Sequence, residues 1–119
     1  MGMIEEHIAY AEPEVRPILD GLRRRILMLD RRIKEDATPQ QRLTYSINRI
    51  FAEVKVRKKY VLVRFYNSRT PDPRQLVQHI DHANKNHWPH DKEMRLHSTE
   101  MVDYVMPFLE ASLRESLRP

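Results

Sequence analysis

The chain has 119 residues, 40% of them hydrophobic and 32% charged, which is the length of one domain and the composition of an ordinary globular one rather than a disordered tract. It has no cysteine, which excludes disulfides and thiolate chemistry, and its net charge of +4 comes from 21 Lys and Arg against 17 Asp and Glu. No apolar run approaches the roughly 20 residues of a membrane span, and the opening "MGMIEEHIAY" lacks the basic-then-apolar order of an export signal, so a cytoplasmic protein without membrane attachment is expected.

Residues 1–12 read as a short N-terminal helix or an arm. In "PEVRPILDGLRRRILMLDRRI" the apolar residues Val15, Ile18, Leu19, Leu22, Ile26, Leu29 and Ile33 recur at steps of three and four, which predicts an amphipathic helix that becomes regular from Ile18. "EDATPQQ" reads as a polar break. From Leu43 the period changes to two. "LTYSINRIFAEVKVRKKYVLVRFY" predicts a short strand over Leu43–Asn48 and a hairpin of Ile50–Arg57 with Tyr60–Tyr66. A two-residue connection at Lys58–Lys59 pairs Val56 with Val61. It turns Ala52, Val54 and Val56 to the core together with Val61, Val63 and Phe65. The other face then carries Phe51, Glu53, Lys55 and Arg57 beside Tyr60, Leu62, Arg64 and Tyr66.

Further on, Asp72 and Pro73 predict the start of a short helix running to His82. "KEMRLH" alternates as a last strand, with Met94 and Leu96 inward. Ser98 stands as the N-cap of a terminal helix whose stripe is Val102, Val105, Met106, Leu109, Leu113 and Leu117, interrupted by Pro107. The sum is a single α+β domain over residues 1–119. It has a mostly antiparallel sheet of about four strands, flanked by a leading helix, a short helix and a C-terminal helix, with both long helices on the Ala52/Val63 side.

From Ile50 to Leu117 the segments "FAEVKVRKKYVLVRF", "PDPRQL" and "NHWPHDKEMRLHSTEMVDYVMPFLEASLRESL" resemble a small α+β family, domain of unknown function 5655. The matching positions are Phe51–Ala52, Arg57–Lys59, Asp72–Arg74, His87 or His90, and Ser98 with Asp103. The resemblance implies an architecture and no catalytic residue. Such domains are at times joined to nuclease-like domains and at times labelled transport proteins, a label that a chain without a membrane segment does not support by itself.

Three functions compete. Residues 1–60 carry 13 basic and 9 acidic side chains against 8 and 8 in the remainder, so the whole charge excess lies in the first half. Bases interleaved with aromatics on one sheet face are what stacks nucleobases and neutralises phosphates. The first reading is therefore a non-catalytic binding or interaction module for nucleic acid or an acidic protein, engaged by Lys55, Arg57, Lys58, Lys59 and Arg64, with Tyr60 and Tyr66 as stacking platforms. It asks for no cofactor. The second is a metal-dependent nuclease or other hydrolase. Asp36 followed by Glu53-Val54-Lys55 supplies two carboxylates for Mg²⁺ and a lysine for the attacking water, although Asp36 falls in the polar break. A zinc site from His79, His82, His87 and His90 belongs to the same class, as does acid–base chemistry between Glu93 and His97. Those histidines more commonly serve as hydrogen-bonded loop residues. The third reading is a homodimer that covers the same sheet face.

Overall fold

The computed structural model describes residues 2–67, 69–80 and 90–119. In chain order, helices α1 (Met3–Tyr10) and α2 (Arg16–Leu27) precede strands β1 (Lys34–Thr38), β2 (Arg42–Ser46), β3 (Ile50–Val56), β4 (Val61–Phe65), β5 (Gln78–His79) and β6 (Lys92–Leu96). Helix α3 (Glu100–Ser116) ends the fold. All six strands form one antiparallel sheet in the order β1-β2-β3-β4-β6-β5. The α+β class is as expected, with two more strands than expected, one at each edge.

The β3–β4 register is the expected one. Val56 stands opposite Val61, Val54 opposite Val63 and Ala52 opposite Phe65. The Arg57 amide donates to the Tyr60 carbonyl at 3.1 Å, closing the hairpin around Lys58 and Lys59. Neither lysine has a positive φ, so the turn forms without the glycine or asparagine that left-handed turns favour. Leu43 and Tyr45 of β2 and Met94 and Leu96 of β6 fall on the same face, and all of these side chains are fully buried. Onto this face pack Ile18, Leu19, Leu22 and Ile26 of α2 and Val102, Val105, Phe108 and Leu109 of α3, with the Phe65 and Phe108 ring centroids 5.5 Å apart.

Helix α2 stops at Leu27, earlier than its apolar stripe runs. The Asp30 carboxylate accepts from the Arg32 amide at 2.9 Å and from the Arg32 guanidinium, a side-chain turn that competes with further helix. Ile33 is still buried, but from extended chain. The expected polar break at "EDATPQQ" is instead β1 and its turn, with Gln40 and Gln41 at φ 69° and 57°. What holds so polar a strand in place is a charged anchor. The Arg23 guanidinium of α2 grips Glu35 through two hydrogen bonds of 2.8 and 2.9 Å, and the buried Tyr45 hydroxyl donates to the same carboxylate at 2.7 Å. His7 of α1 donates from Nε2 to the Thr38 carbonyl at 2.6 Å, tying α1 to the far end of the strand.

The helix expected from Asp72 does not form. The Asp72 carboxylate accepts from the Leu76 and Val77 amides at 3.0 and 2.9 Å, and Gln75 takes a left-handed φ of 55° that ends any helical path. Gln78 and His79 then pair with β6 as β5, while Asp81 and His82 lie outside the described residues. At α3 the N-cap is Thr99 rather than Ser98, without a side-chain capping bond. Leu117 lies beyond the helix end and is exposed. Within α3, Ser112 is buried because it joins the helix to the sheet. Its hydroxyl donates to the Phe51 carbonyl at 2.6 Å and accepts from the Tyr66 amide at 3.2 Å.

Two outcomes follow. Ser112→Ala leaves a buried carbonyl and an amide without their partner and is expected to lower stability by about 1–3 kcal/mol in urea unfolding. Burial disfavours ionised Glu35, but the hydrogen bonds from Arg23 and Tyr45 overcome it and hold the carboxyl below its ordinary range. A folded-state pKa below the unfolded one stabilises the fold above the unfolded value of 4.5, and that contribution disappears as pH falls through the lower folded value. Glu35→Gln should therefore reduce stability at pH 7 and flatten its decline below pH 4.5; an unchanged slope would remove Glu35 from acid unfolding.

Candidate functional site

The sheet face opposite the core holds one cross-strand row: Asp36 of β1, Thr44 of β2, Glu53 of β3, Arg64 of β4, Glu93 of β6 and Gln78 of β5 stand side by side. One step along lies a second row of Arg42, Lys55, Leu62 and Arg95. Side chains in such rows meet because neighbouring strands are about 4.8 Å apart. Their meeting point is Glu53.

The Glu53 side chain is only 5% exposed, and its Oε1 lies 3.3 Å from the Arg42 guanidinium, 3.8 Å from Lys55 Nζ and 3.9 Å from the Arg64 guanidinium. Arg64 also donates to Glu93 at 3.1 Å. Three cations thus share two carboxylates. All three remain partly open to solvent, at 32%, 24% and 24%. Burial first, and then repulsion from Arg64, push the Lys55 ammonium below its usual range despite the attraction of Glu53. Two strands away on the same row, the exposed Arg95 guanidinium lies 5.1 Å from the centroid of Tyr60, which also neighbours the His97 ring at 5.5 Å. Tyr60 therefore already carries a cation on its ring.

The structure divides the candidate binding residues into three groups. Lys55 and Arg64 belong to the Glu53 cluster, and Tyr60 flanks it. Lys58 and Lys59 sit exposed at the hairpin tip and turn to the segment joining α1 and α2: Lys58 lies over the Tyr10 ring, Lys59 is 3.4 Å from Glu12, and the Lys58 carbonyl accepts from the Glu12 amide. Arg57 links tip and face. Tyr66 lies at the other end of the sheet, and Phe51 and Leu62 are buried rather than offered for stacking. Arg42 joins the cluster without having been singled out, Glu93, weighed only for acid–base chemistry with His97, pairs there with Arg64, and Arg95 stands on the neighbouring row; the hairpin register by itself sets Glu53 against Arg64.

Asp36 is in strand β1, not in a loop, and is exposed on the same face as Glu53, two strands or roughly 10 Å away. Of the proposed metal ligands, His82 and His87 lie outside the described residues. His79 is exposed on β5 with Nδ1 3.0 Å from Lys92 Nζ. His90 is buried, its Nε2 donating to the Ile50 carbonyl at 2.8 Å, and burial holds it below the usual histidine range, in the neutral form. Among the described residues no three His, Asp or Glu side chains converge as a metal site, and no helix is long and apolar enough to cross a membrane.

No curated protein and no solved structure matches the chain. The family model described as domain of unknown function (DUF5655) matches residues 4–113, which takes in α1, α2 and β1 beyond the stretch from Ile50 onward. That match covers nearly the whole chain, and with it the helices, the sheet and both rows of the ionic face: the protein belongs to the DUF5655 family.

Proposed function

We propose that this protein is a non-catalytic binding module whose ionic sheet face takes nucleic acid by its phosphates. The observation that carries the reading is the gathering of cations around Glu53 with the exposed Arg95 on the row beside it. Arg42, Lys55 and Arg64 share the negative charge of Glu53 and Glu93, and Arg95 adds a further exposed cation on the same row as Lys55. A phosphate arriving there meets Arg95, which has no carboxylate partner among the described residues, beside the cations that share Glu53, and counterion release adds to the gain. Lys58 and Lys59 at the hairpin tip extend the positive field toward an approaching strand.

The nuclease reading gains one feature, since Asp36 and Glu53 share a face. Against it, Glu53 is already engaged by three cations, and a Mg²⁺ ion would have to displace them. Cleavage of a labelled strand only when Mg²⁺ is added, lost in Asp36→Asn, is the result that would replace binding by catalysis.

The test is a fluorescence-anisotropy titration of a short oligonucleotide across a salt series. Affinity should fall steeply with salt; Arg95→Glu and Lys55→Gln should each weaken binding and lower the salt slope by about one. The double change of Lys58 and Lys59 to Glu should weaken it less. Binding that ignores all of these changes, or a mass that rises with protein concentration and buries the face, would overturn the reading.

Glu53→Gln separates the two roles of the cluster. Removing the shared anion leaves three crowded cations, so stability should drop by about 1–2 kcal/mol, less than for a fully buried pair because the cations are partly solvated. Affinity for the oligonucleotide should rise at the same time. Weaker binding in a folded Glu53→Gln protein would mean that Glu53 positions the cations rather than merely neutralising them.

A further inference from the structure

Tyr66 lies at the end of β4 remote from the hairpin tip, beside a cavity of about 240 Å³ lined by Arg49, Ile50, Phe51, Tyr66, His90 and Ser116, among others. This is below the range of about 300–1,000 Å³ usual for whole small-molecule ligands, and suits a single ring system. Most polar groups of its wall are engaged within the fold, the Glu115 carboxylate with Arg118 at 3.4 Å among them. His90 is tied to the Ile50 carbonyl, Ser112 to Phe51 and Tyr66, and the Ser116 hydroxyl to the Leu113 carbonyl at 2.6 Å. Two groups at its rim are not committed: the Arg49 guanidinium and the Tyr66 hydroxyl have no hydrogen bond or ion pair among the described residues.

The position of this cavity connects it to the ionic face. Phe51 lines it and lies two residues before Glu53 on β3, about 7 Å along the strand. A second hollow of about 380 Å³ adjoins it, sharing Tyr66 and Glu115 and bordered by Arg69 and Arg114, which are likewise without a partner among the described residues. An aromatic wall with a free hydroxyl, cations on either side and a basic face one step away is the chemistry of a flipped-out base with its flanking phosphates.

We infer that the Tyr66 cavity receives one unpaired base, that Arg49 on one side and Arg69 with Arg114 on the other hold the adjoining phosphates, and that the partner is therefore single-stranded nucleic acid. This rests on the reading of the sheet face as a nucleic-acid surface. A duplex keeps its bases stacked and paired, so it can use the ionic face but not the cavity.

The experiment compares a labelled single strand of about twelve nucleotides, its duplex and heparin, a polyanion without bases, at one salt concentration. The single strand should bind about tenfold more tightly than the duplex, the effect of roughly one stacked base. Tyr66→Ala and, independently, Ser116→Trp, which puts an indole at a residue lining the cavity, should abolish that preference while duplex and heparin binding stay as they were. Unfolding midpoints of the two variants confirm that each is folded. Equal binding of single strand and duplex by the unaltered protein, or a preference that survives both variants, overturns the base site and leaves the sheet-face reading standing. Absence of binding to all three polymers overturns both.

Discussion

The turn at Lys58–Lys59 sets what each face of the sheet is made of. With Val56 opposite Val61, Ala52, Val54, Val56, Val61, Val63 and Phe65 turn to the helices, and Glu53, Lys55 and Arg64 turn the other way. One residue more would exchange the faces of one strand, setting Val61, Val63 and Phe65 against Glu53 and Lys55. The core and the ionic face are thus two results of one register. The turn has outside support as well, since the Lys58 carbonyl accepts from the Glu12 amide and the segment between α1 and α2 is fastened to it.

A second tier of polar contacts attaches what the apolar core does not hold. Arg23, Glu35 and Tyr45 join α2, β1 and β2 in a mostly buried triad, and burial, followed by the field of Glu35, pushes the Tyr45 hydroxyl well above its ordinary range, so it remains a donor. Ser112 fastens α3 to the start of β3 and the end of β4, and the Tyr104 hydroxyl donates to Asp72 to bring the loop after β4 onto the same helix. Each bond lies where the sheet changes neighbours. The cluster around Glu53 differs from these contacts in one respect: among the described residues it gathers three cations on two carboxylates.

Strong periodicity was readable. The stripe of α2 over Ile18–Ile26, the β3–β4 register, the inward Met94 and Leu96, and the stripe of α3 through Leu113 all rest on many apolar residues in step. What escaped depends on polar side chains that act at a distance. β1 has almost no β-forming residues, and its place is set by Arg23 and Tyr45, 12 and 10 positions away. Asp72 has the look of a helix cap, yet its carboxylate serves a loop instead, because Gln75 departs from helical geometry. The candidate site was half legible. Alternation separated bases from core, but it put Tyr60 and Tyr66 on one face without weighing their separation along it: they stand at opposite ends of β4, and only Tyr60 borders the ionic rows.

β1 is also the sheet's outer border, and its sequence KEDAT bears on whether copies of the chain add to one another there. Exposed edges are where proteins pair strand to strand and begin to aggregate. An antiparallel copy laid along β1 about its centre would set Asp36 against Asp36, like charges facing each other, with no apolar side chain larger than Ala37 to offset the repulsion. At the end of the strand the Thr38 carbonyl is already occupied by His7. The polar strand that hid from periodicity is in this sense a guard: its lack of hydrophobic residues keeps a six-stranded sheet from growing a seventh strand out of its neighbour.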